Sequence, residues 1–232
     1  MRYNDLMTIA APPTRSKRSV RTSDDGQHFV LYGETWESYQ RWLRDLDNRH
    51  LFLTYDRGRL ELMSPSYEHD KSSQMLAQLI RTIAEELNLP LSGAGSTTFR
   101  RKDLDRGLEP DNCFYIKNEM RIRGKKKLDL RRDPPPDLAI EVEISYRIRG
   151  REQIYAALGV PELWRYDGKR LRVGVLKQDG AYHSVDRSPT FPSLPLRQVE
   201  LFVKRSFNMD ETSWQRQLRR WVRQHLVERK AR

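Results

Sequence analysis

Three carboxylates recur along one short segment of the chain at the spacing of a β-strand. Between Asp137 and Ser145 every second residue is apolar. The apolar set is Leu138, Ile140, Val142 and Ile144, and the other set is Asp137, Ala139, Glu141, Glu143 and Ser145. Because side chains alternate between the two faces of a strand, the pattern predicts one core face and one acidic face. Taken alone, it is more typical of an antiparallel sheet with one solvated face than of a site.

A further carboxylate at the start of a second apolar strand changes that balance. Glu109-Pro110-Asp111 leads into a predicted strand that ends at Ile116, upstream of Glu141. Hard cations such as Mg²⁺ bind through carboxylate oxygens, and two neighbouring strands can each present one carboxylate to a shared ion. A metal held in this way activates water and neutralises charge that builds on a phosphate. The sequence therefore predicts a Mg²⁺ or Mn²⁺ site at Asp111 and Glu141, with Glu143 and Asp137 as further candidates.

The elements that must position these carboxylates follow from apolar periodicity and turn residues. Three prolines at 134–136 mark the start of the strand that carries Glu141. A long helix is predicted over 68–87, since its apolar residues recur at three and four positions. The other predicted elements are a helix that begins after Thr35, a hairpin over 51–63, a helix over 151–158 that ends at Gly159, and strands over 162–166, 171–176 and 182–185.

The chain divides into three predicted regions. Residues 1–27 have no sustained apolar period and are interpreted as a flexible basic arm. Residues 28–203 carry the predicted domain, and residues 204–232 are predicted to form a basic amphipathic helix. The single cysteine, Cys113, excludes an internal disulfide. No apolar run approaches membrane-spanning length and the N-terminus does not resemble a signal peptide, so we expect a cytoplasmic protein without a membrane partner.

The charge of the chain indicates a polyanionic partner. The formal net charge is +11 and the pI is about 9.9. An excess of Lys and Arg attracts nucleic acid. The charge does not indicate specificity, and a basic surface that only keeps the protein soluble is the alternative. DNA is the expected partner. The predicted contacts are Lys125, Lys126 and Lys127 in a loop and Arg219, Arg220 and Arg223 in the C-terminal helix.

Several of these strings resemble one known family. They are Pro110-Asp111, the run from Pro136 to Val142, the run from Ile154 to Asp167, and the upstream Met63-Ser64-Pro65 with Glu68-His69. Together they resemble the Uma2 family of putative restriction endonucleases, within the PD-(D/E)XK nuclease superfamily. The resemblance runs from about Thr35 to Val175. It implies a restriction-endonuclease-like α/β core, in which helices flank a mixed sheet.

The same resemblance implies roles for individual residues. Asp111 and Glu141 would be the metal-binding carboxylates, with His69 as a catalytic candidate and Glu61 as a further ligand. The PD-(D/E)XK pattern has Lys two positions after Glu141, where this chain has Glu143. Relatives often carry a basic residue on the following helix, and Arg151 is the nearest match. Arg holds phosphate but does not readily act as a base. Arg147 and Arg149 are alternatives for the basic member of the site.

Three hypotheses follow. The first is a Mg²⁺-dependent endodeoxyribonuclease, a hydrolase acting on ester bonds; intact Asp111 and Glu141 favour it. The second is a catalytically impaired relative that binds DNA without cutting, which Glu143 and Arg151 favour. The third assigns the C-terminal helix to a membrane surface or a protein partner, although packing onto the core is the more usual fate of such a helix. The DNA target stays open, as does the oligomeric state, for which a homodimer is one alternative.

Overall fold

The computed structural model describes residues 19–23, 26–46, 50–144 and 150–227. These residues form two six-stranded sheets with helices around them. The strands are β1 (Ser19–Ser23), β2 (Gly26–Tyr32), β3 (Phe52–Asp56), β4 (Arg59–Ser64), β5 (Ser92–Gly93), β6 (Phe99–Arg101), β7 (Arg106–Leu108), β8 (Asn112–Tyr115), β9 (Leu138–Val142), β10 (Glu162–Tyr166), β11 (Leu171–Leu176) and β12 (Tyr182–Val185). The helices are α1 (Trp36–Asp45), α2 (Tyr67–Glu86), α3 (Glu119–Ile122), α4 (Arg151–Leu158), α5 (Leu196–Ser206) and α6 (Glu211–Val222).

The first sheet, sheet A, is antiparallel and contains the predicted hairpin. Its strand order is β1-β2-β4-β3-β7-β6. The β3–β4 turn uses Arg57 and Gly58 in the left-handed region of backbone space, where Gly is favoured. Helix α1 packs on this sheet through the buried ring of Tyr39, and Thr35 caps its first turn by accepting a hydrogen bond from Ser38 N. The predicted hairpin and first helix are confirmed.

The second sheet, sheet B, is mixed and holds the predicted carboxylates. Its order is β12-β11-β10-β9-β8-β5, and of these pairs only β9–β10 is parallel. Helices α2, α5 and α6 cover one face, and α4 covers the other, where Tyr155 and Ile154 pack on Ala139. The predicted mixed α/β class, with helices flanking a mixed sheet, is confirmed. The alternative of a solvated acidic face is wrong, since every residue of β9 is buried.

Two boundaries differ from the sequence prediction. The predicted arm over 1–27 ends too late, because β1 and the start of β2 pair as a hairpin with Ser23 opposite Gly26. The sequence of β1 has no alternating apolar pattern from which a strand could be predicted. The strand forms because its backbone groups hydrogen-bond with those of β2. Residues 1–18 lie outside the described part of the chain. Helix α5, which the prediction omitted, crosses the predicted boundary at 204 and buries Val199, Phe202 and Val203.

The C-terminal helix α6 belongs to the core and does not form a separate basic tail. Its buried side chains Trp214, Leu218 and Val222 pack in the same cluster as α2 and sheet B. This covers the apolar side that the third hypothesis assigned to a membrane or partner. None of the helices in the described part of the chain has the length and apolar character that crossing a membrane requires.

Trp214→Ala is expected to destabilise the protein by about 3–5 kcal/mol. The Trp214 side chain is 1% exposed, its Nε1 donates to the Phe202 carbonyl at 2.7 Å, and its ring meets the Phe202 ring edge-on. Urea denaturation would measure the change, with Arg220→Ala on the exposed side of α6 as the control that should leave the midpoint unchanged. Equal midpoints for the two variants would contradict the assignment of α6 to the core.

Candidate active site

Asp111 and Glu141 face each other across two neighbouring strands. Strand β8 pairs antiparallel with β9, with Asn112 opposite Ile140. The next pair outward in the same register is Asp111 and Glu141. Directly opposed residues of an antiparallel pair point to the same face of a sheet. Their side chains therefore share one face at the end of the sheet where β8 begins and β9 ends, and both residues are buried.

The backbone fixes one oxygen of Asp111 and leaves the other without a partner. Asp111 Oδ2 accepts a hydrogen bond from Val142 N at 2.6 Å, and the Asp111 carbonyl accepts one from Ser73 Oγ at 3.3 Å. Asp111 Oδ1 is buried and has no hydrogen-bond partner among the described residues. A buried carboxylate oxygen without a partner is costly. This atom is therefore the acceptor that a ligand or an ion would satisfy.

Helix α4 supplies two donors to Glu141. Arg151 Nη2 donates to Glu141 Oε1 at 2.8 Å, and the Tyr155 hydroxyl donates to the same oxygen. Arg151 and Tyr155 lie four residues apart, so they share one side of the helix. Burial raises the pKa of the Glu141 carboxyl; the Arg151 guanidinium opposes that shift, and the Asp111 carboxylate adds to it.

Arg151 joins the two sheets at this point. Its Nη1 donates to Thr54 Oγ1 on β3 at 3.0 Å, and its Nη2 also donates to the Glu109 carbonyl at 2.6 Å. The Arg151 side chain is buried. Arg151 therefore stands beside Glu141, as expected, while Arg147 and Arg149 lie outside the described residues. Its contacts also give it a structural role.

His69 approaches Asp111 from the first turn of α2. Ser66 caps this helix by accepting from His69 N at 3.2 Å, which sets the start of the turn. His69 Nε2 lies 3.2 Å from Asp111 Oδ2. Burial lowers the pKa of His69, but the Asp111 carboxylate outweighs it with help from Glu141 and Asp70, so the pKa is raised. The structure thus brings together His69, Asp111, Glu141 and Arg151.

Glu61 is committed to a separate cluster in sheet A. It lies opposite Thr54 in the β3–β4 pair and is buried. Its carboxylate forms ion pairs with Arg59 and with His28, whose Nε2 is 2.8 Å from Glu61 Oε2. The role of Glu61 as a further metal ligand stays a prediction: Arg59 of its own strand is its cationic neighbour, while burial and Arg59 lower the pKa of His28. Glu61 on β4 is the direct neighbour of Thr54 on β3, and Thr54 in turn accepts a hydrogen bond from Arg151 of the site.

Asp137 and Glu143 also have roles away from the carboxylate pair. Asp137 accepts from Ile116 N at 2.7 Å and from both Asn118 N and Asn118 Nδ2 at 2.9 and 2.6 Å. It precedes Glu141 by four strand residues, which span roughly 13 Å. Asp137 is thus a buried anchor for the turn after β8 and does not share an ion with Glu141. Glu143 lies 3.7 Å from Arg165, so the residue in the lysine position is an ion-paired acid.

The predicted DNA-contacting residues are dispersed. Lys125, Lys126 and Lys127 are exposed, but their loop connects the ends of β8 and β9 opposite to the carboxylate pair. Lys125 is paired with Asp133. Of the helix α6 candidates, Arg220 is exposed. Arg219 and Arg223 form ion pairs with α2 carboxylates, Arg219 with Glu85 and Glu86 and Arg223 with Glu86. The assignment of Arg219 and Arg223 to DNA stays a prediction, and the structure adds that both side chains already have carboxylate neighbours on α2.

Sequence reasoning missed three contributors to the site. Tyr155 lies in the run from Ile154 to Asp167 but was given no role in the site, whereas its hydroxyl reaches Glu141. Its position four residues after Arg151 was the available signal. Thr54 and the Glu109 carbonyl hold Arg151, and the former is 97 positions from it in the chain. Among the described residues no group of three or more His, Cys, Asp or Glu side chains is arranged to hold a metal ion.

Comparisons with known proteins complete the description. The family described as "Uma2: Putative restriction endonuclease" matches residues 36–209. The crystal structure of "a putative nuclease belonging to DUF820" from Anabaena variabilis is similar, with a TM-score of 0.48 and 15% sequence identity over 65% of this chain and 90% of that chain. No curated protein matches the chain. Because the family match covers most of the sequence, this chain belongs to the Uma2 family of putative restriction endonucleases.

Proposed function

We propose that this protein is a metal-dependent endonuclease that hydrolyses phosphodiester bonds of DNA, with Mg²⁺ or Mn²⁺ held by Asp111 and Glu141. The observation that carries the proposal is the opposed carboxylate pair, in which Asp111 Oδ1 has no hydrogen-bond partner within the part of the chain that the structure describes. Membership of a family described as restriction endonucleases supports a nuclease. The net charge of +11 supports a polyanionic substrate.

The donor set fits a hard divalent cation. Both carboxylates are buried, Arg151 pairs with Glu141, and one oxygen of Asp111 lacks a donor among the described residues. Mg²⁺ is usually bound by one or two carboxylates and keeps several waters, so a site with fewer than three protein ligands suits it. When bound, such an ion supplies an activated water and balances negative charge on the phosphate.

The residues of the chain have distinct parts in this proposal. Val142 N orients Asp111, while Arg151 and Tyr155 hold Glu141 Oε1 in place. His69 Nε2 lies beside Asp111 Oδ2, and the Asp111 carboxylate raises the pKa of the His69 ring. A protonated His69 would balance part of the charge of Asp111 and hold a proton at the edge of the site.

A second candidate function is DNA binding without cleavage. Glu143 stands where the superfamily pattern has lysine, and it is paired with Arg165. Arg151 directs donors to Thr54, Glu109 and Glu141, and a guanidinium does not readily take up a proton. These contacts favour a protein that keeps the fold and the carboxylates but lacks the lysine of the pattern.

Cleavage of supercoiled plasmid in Mg²⁺, in Mn²⁺ and in EDTA tests the proposal. We expect nicked and linear products only with a divalent cation, and none from Asp111→Asn purified in parallel, which controls for contaminating nucleases. Binding of labelled DNA is measured on the same preparations. Salt-sensitive binding without metal-dependent products would support the second candidate, and products in EDTA would contradict the metal site.

A further inference from the structure

Both donors that reach the Glu141 carboxylate bind the same oxygen. Arg151 Nη2 donates to Glu141 Oε1 at 2.8 Å, and the Tyr155 hydroxyl donates to that oxygen as well. A carboxylate offers about four lone-pair sites, two on each oxygen. Arg151 and Tyr155 therefore fill both sites of Oε1. No hydrogen bond from the described residues reaches Oε2, so Oε2 is the oxygen that Glu141 can offer to an ion.

The Asp111 carboxylate is divided in the same way. Its Oδ2 accepts from Val142 N at 2.6 Å and lies 3.2 Å from His69 Nε2. Its Oδ1 is buried and has no hydrogen-bond partner within the described segments. The two carboxylates thus present one oxygen each, Oδ1 of Asp111 and Oε2 of Glu141. An ion between them would meet each carboxylate through a single oxygen.

The number of oxygens that each carboxylate offers affects which divalent cation the site suits. Ca²⁺ takes about six to eight oxygens in a flexible shell and often binds both oxygens of one carboxylate. Mg²⁺ requires a nearly octahedral shell at shorter distances and keeps several waters. The narrow angle between the two oxygens of one carboxylate fits the Ca²⁺ shell better than the octahedron. One oxygen from each carboxylate therefore favours the smaller ion.

The Tyr155 hydroxyl can be removed without changing the charge of the site. The Tyr155 side chain is 1% exposed and packs with Ala139 between α4 and sheet B, and a phenylalanine ring keeps that packing. Arg151 has two other anchors, Thr54 Oγ1 at 3.0 Å and the Glu109 carbonyl at 2.6 Å. Tyr155→Phe therefore removes one donor from the carboxylate, whereas the guanidinium stays in place.

We propose that Tyr155 is a positioning residue for cation selectivity: its hydroxyl keeps Oε1 of Glu141 from the ion and so favours Mg²⁺ over Ca²⁺. This inference rests on the proposed metal-dependent nuclease function. On the Asp111 side the corresponding donor is the backbone N–H of Val142, which a substitution does not remove. The selectivity of the site is therefore tested through Tyr155.

Metal binding to Tyr155→Phe in the absence of DNA tests the inference. The electron paramagnetic resonance signal of free Mn²⁺ reports binding of that ion, and Mg²⁺ and Ca²⁺ are added in turn as competitors. We expect the ratio of Mg²⁺ affinity to Ca²⁺ affinity to fall roughly tenfold, the lower end of what loss of a hydrogen bond to a metal ligand costs. The reason is that Glu141 can then offer both oxygens to Ca²⁺. Partial unfolding would weaken the binding of both ions alike, so it leaves the ratio unchanged.

Tyr115→Phe is the matched control. Tyr115 is also fully buried, and its hydroxyl donates to the Pro134 carbonyl at 3.1 Å. It ends β8, whereas Asp111 lies just before the first residue of that strand. Tyr115→Phe should therefore have the same ratio of affinities as the parent. Asp111→Asn, which should bind neither ion, shows that the measured ion lies at this site.

Infrared difference spectra of the parent protein give a second measurement that needs no variant. The separation between the antisymmetric and symmetric stretching bands of a carboxylate is wider when one oxygen binds a cation than when both do. We expect the wide separation with Mg²⁺ and also with Ca²⁺, because Oε1 of Glu141 is occupied by its two donors.

The outcomes separate this inference from the nuclease proposal. If the parent binds no divalent cation, both are overturned. If the parent binds the ions but the ratio in Tyr155→Phe is equal to that of the parent or higher, only the role of Tyr155 is overturned. The narrow band separation in the parent also overturns only that role. A lower ratio in Tyr155→Phe, with an unchanged one in Tyr115→Phe, supports the inference whether or not the protein cuts plasmid.

Discussion

Arg151→Ala is expected to lower the free energy of unfolding by about 3–5 kcal/mol, the typical cost of removing one partner from a buried ion pair. The substitution would leave Glu141 buried beside Asp111 without its cation, and would also remove the donors to Thr54 and the Glu109 carbonyl. Chemical denaturation in EDTA measures this loss independently of any catalytic role. A loss of this size also lowers the folded fraction, so the turnover of the variant alone would not reveal a role in chemistry.

A double variant separates the buried charge from the lost packing. If the uncompensated Glu141 carboxylate dominates the cost, Glu141→Gln added to Arg151→Ala should recover part of the stability, because the amide carries no charge. Lys102→Ala is the matched control, since Lys102 and Glu37 form an ion pair in which both side chains are largely exposed. Exposed pairs contribute little. A loss no larger for Arg151→Ala than for Lys102→Ala would contradict the structural role of Arg151.

The strands and helices around the site followed from local patterns. The alternation in 138–142 and the prolines before it predict β9, and the three-and-four spacing after Glu68 predicts α2. Glu141 lies in the alternating strand, whereas Asp111 precedes a strand whose residues from Cys113 onward are all apolar and buried, so its face follows from the pairing of β8 with β9. Local periodicity therefore predicts the regular strands and helices on which site residues lie.

The partners of these residues depend on contacts between distant segments. Thr54 meets Arg151 across 97 positions, and Arg219 meets Glu86 across 133. No spacing rule connects residues so far apart. Glu61 illustrates the consequence, because its position in a strand was predicted but its contact with His28 depends on the pairing of β2 with β4. Charges that look available in sequence can thus be balanced by neighbours that only the fold supplies.

Helix α5 was missed for a different reason. Its apolar residues Leu196, Val199, Phe202 and Val203 have helical spacing, and Pro195 stands at its N-cap. The helical spacing was therefore visible in the sequence. The predicted boundary was nevertheless placed inside the helix, because the basic residues begin at Lys204. The short strands β5, β6 and β7, two or three residues long, carry no period at all. They exist because neighbouring strands pair with them.

Asp111→Asn is expected to abolish metal-dependent cleavage and Mn²⁺ binding without lowering the stability of the metal-free protein. The amide keeps a carbonyl oxygen that can accept from Val142 N, and it removes a negative charge that raises the pKa of Glu141. The rate should fall on the order of a thousandfold, because a bound ion contributes several kcal/mol to transition-state stabilisation and each 1.4 kcal/mol is tenfold. Thermal unfolding with and without Mn²⁺ and calorimetric titration measure the binding, since a ligand of the folded state raises the unfolding temperature.

Asp137→Asn is the matched control for that experiment. Asp137 is also a buried aspartate bordering β9, but it accepts three hydrogen bonds from the turn at Ile116 and Asn118. Asp137→Asn should therefore lose stability, because an amide cannot accept all of these bonds as a carboxylate does, while the folded fraction still binds Mn²⁺. Asp111→Asn is thus expected to lose Mn²⁺ binding and keep stability, and Asp137→Asn to lose stability and keep Mn²⁺ binding. An Mn²⁺-induced rise in unfolding temperature that persists in Asp111→Asn and disappears in Asp137→Asn would move the metal to the other end of β9 and overturn the site described above.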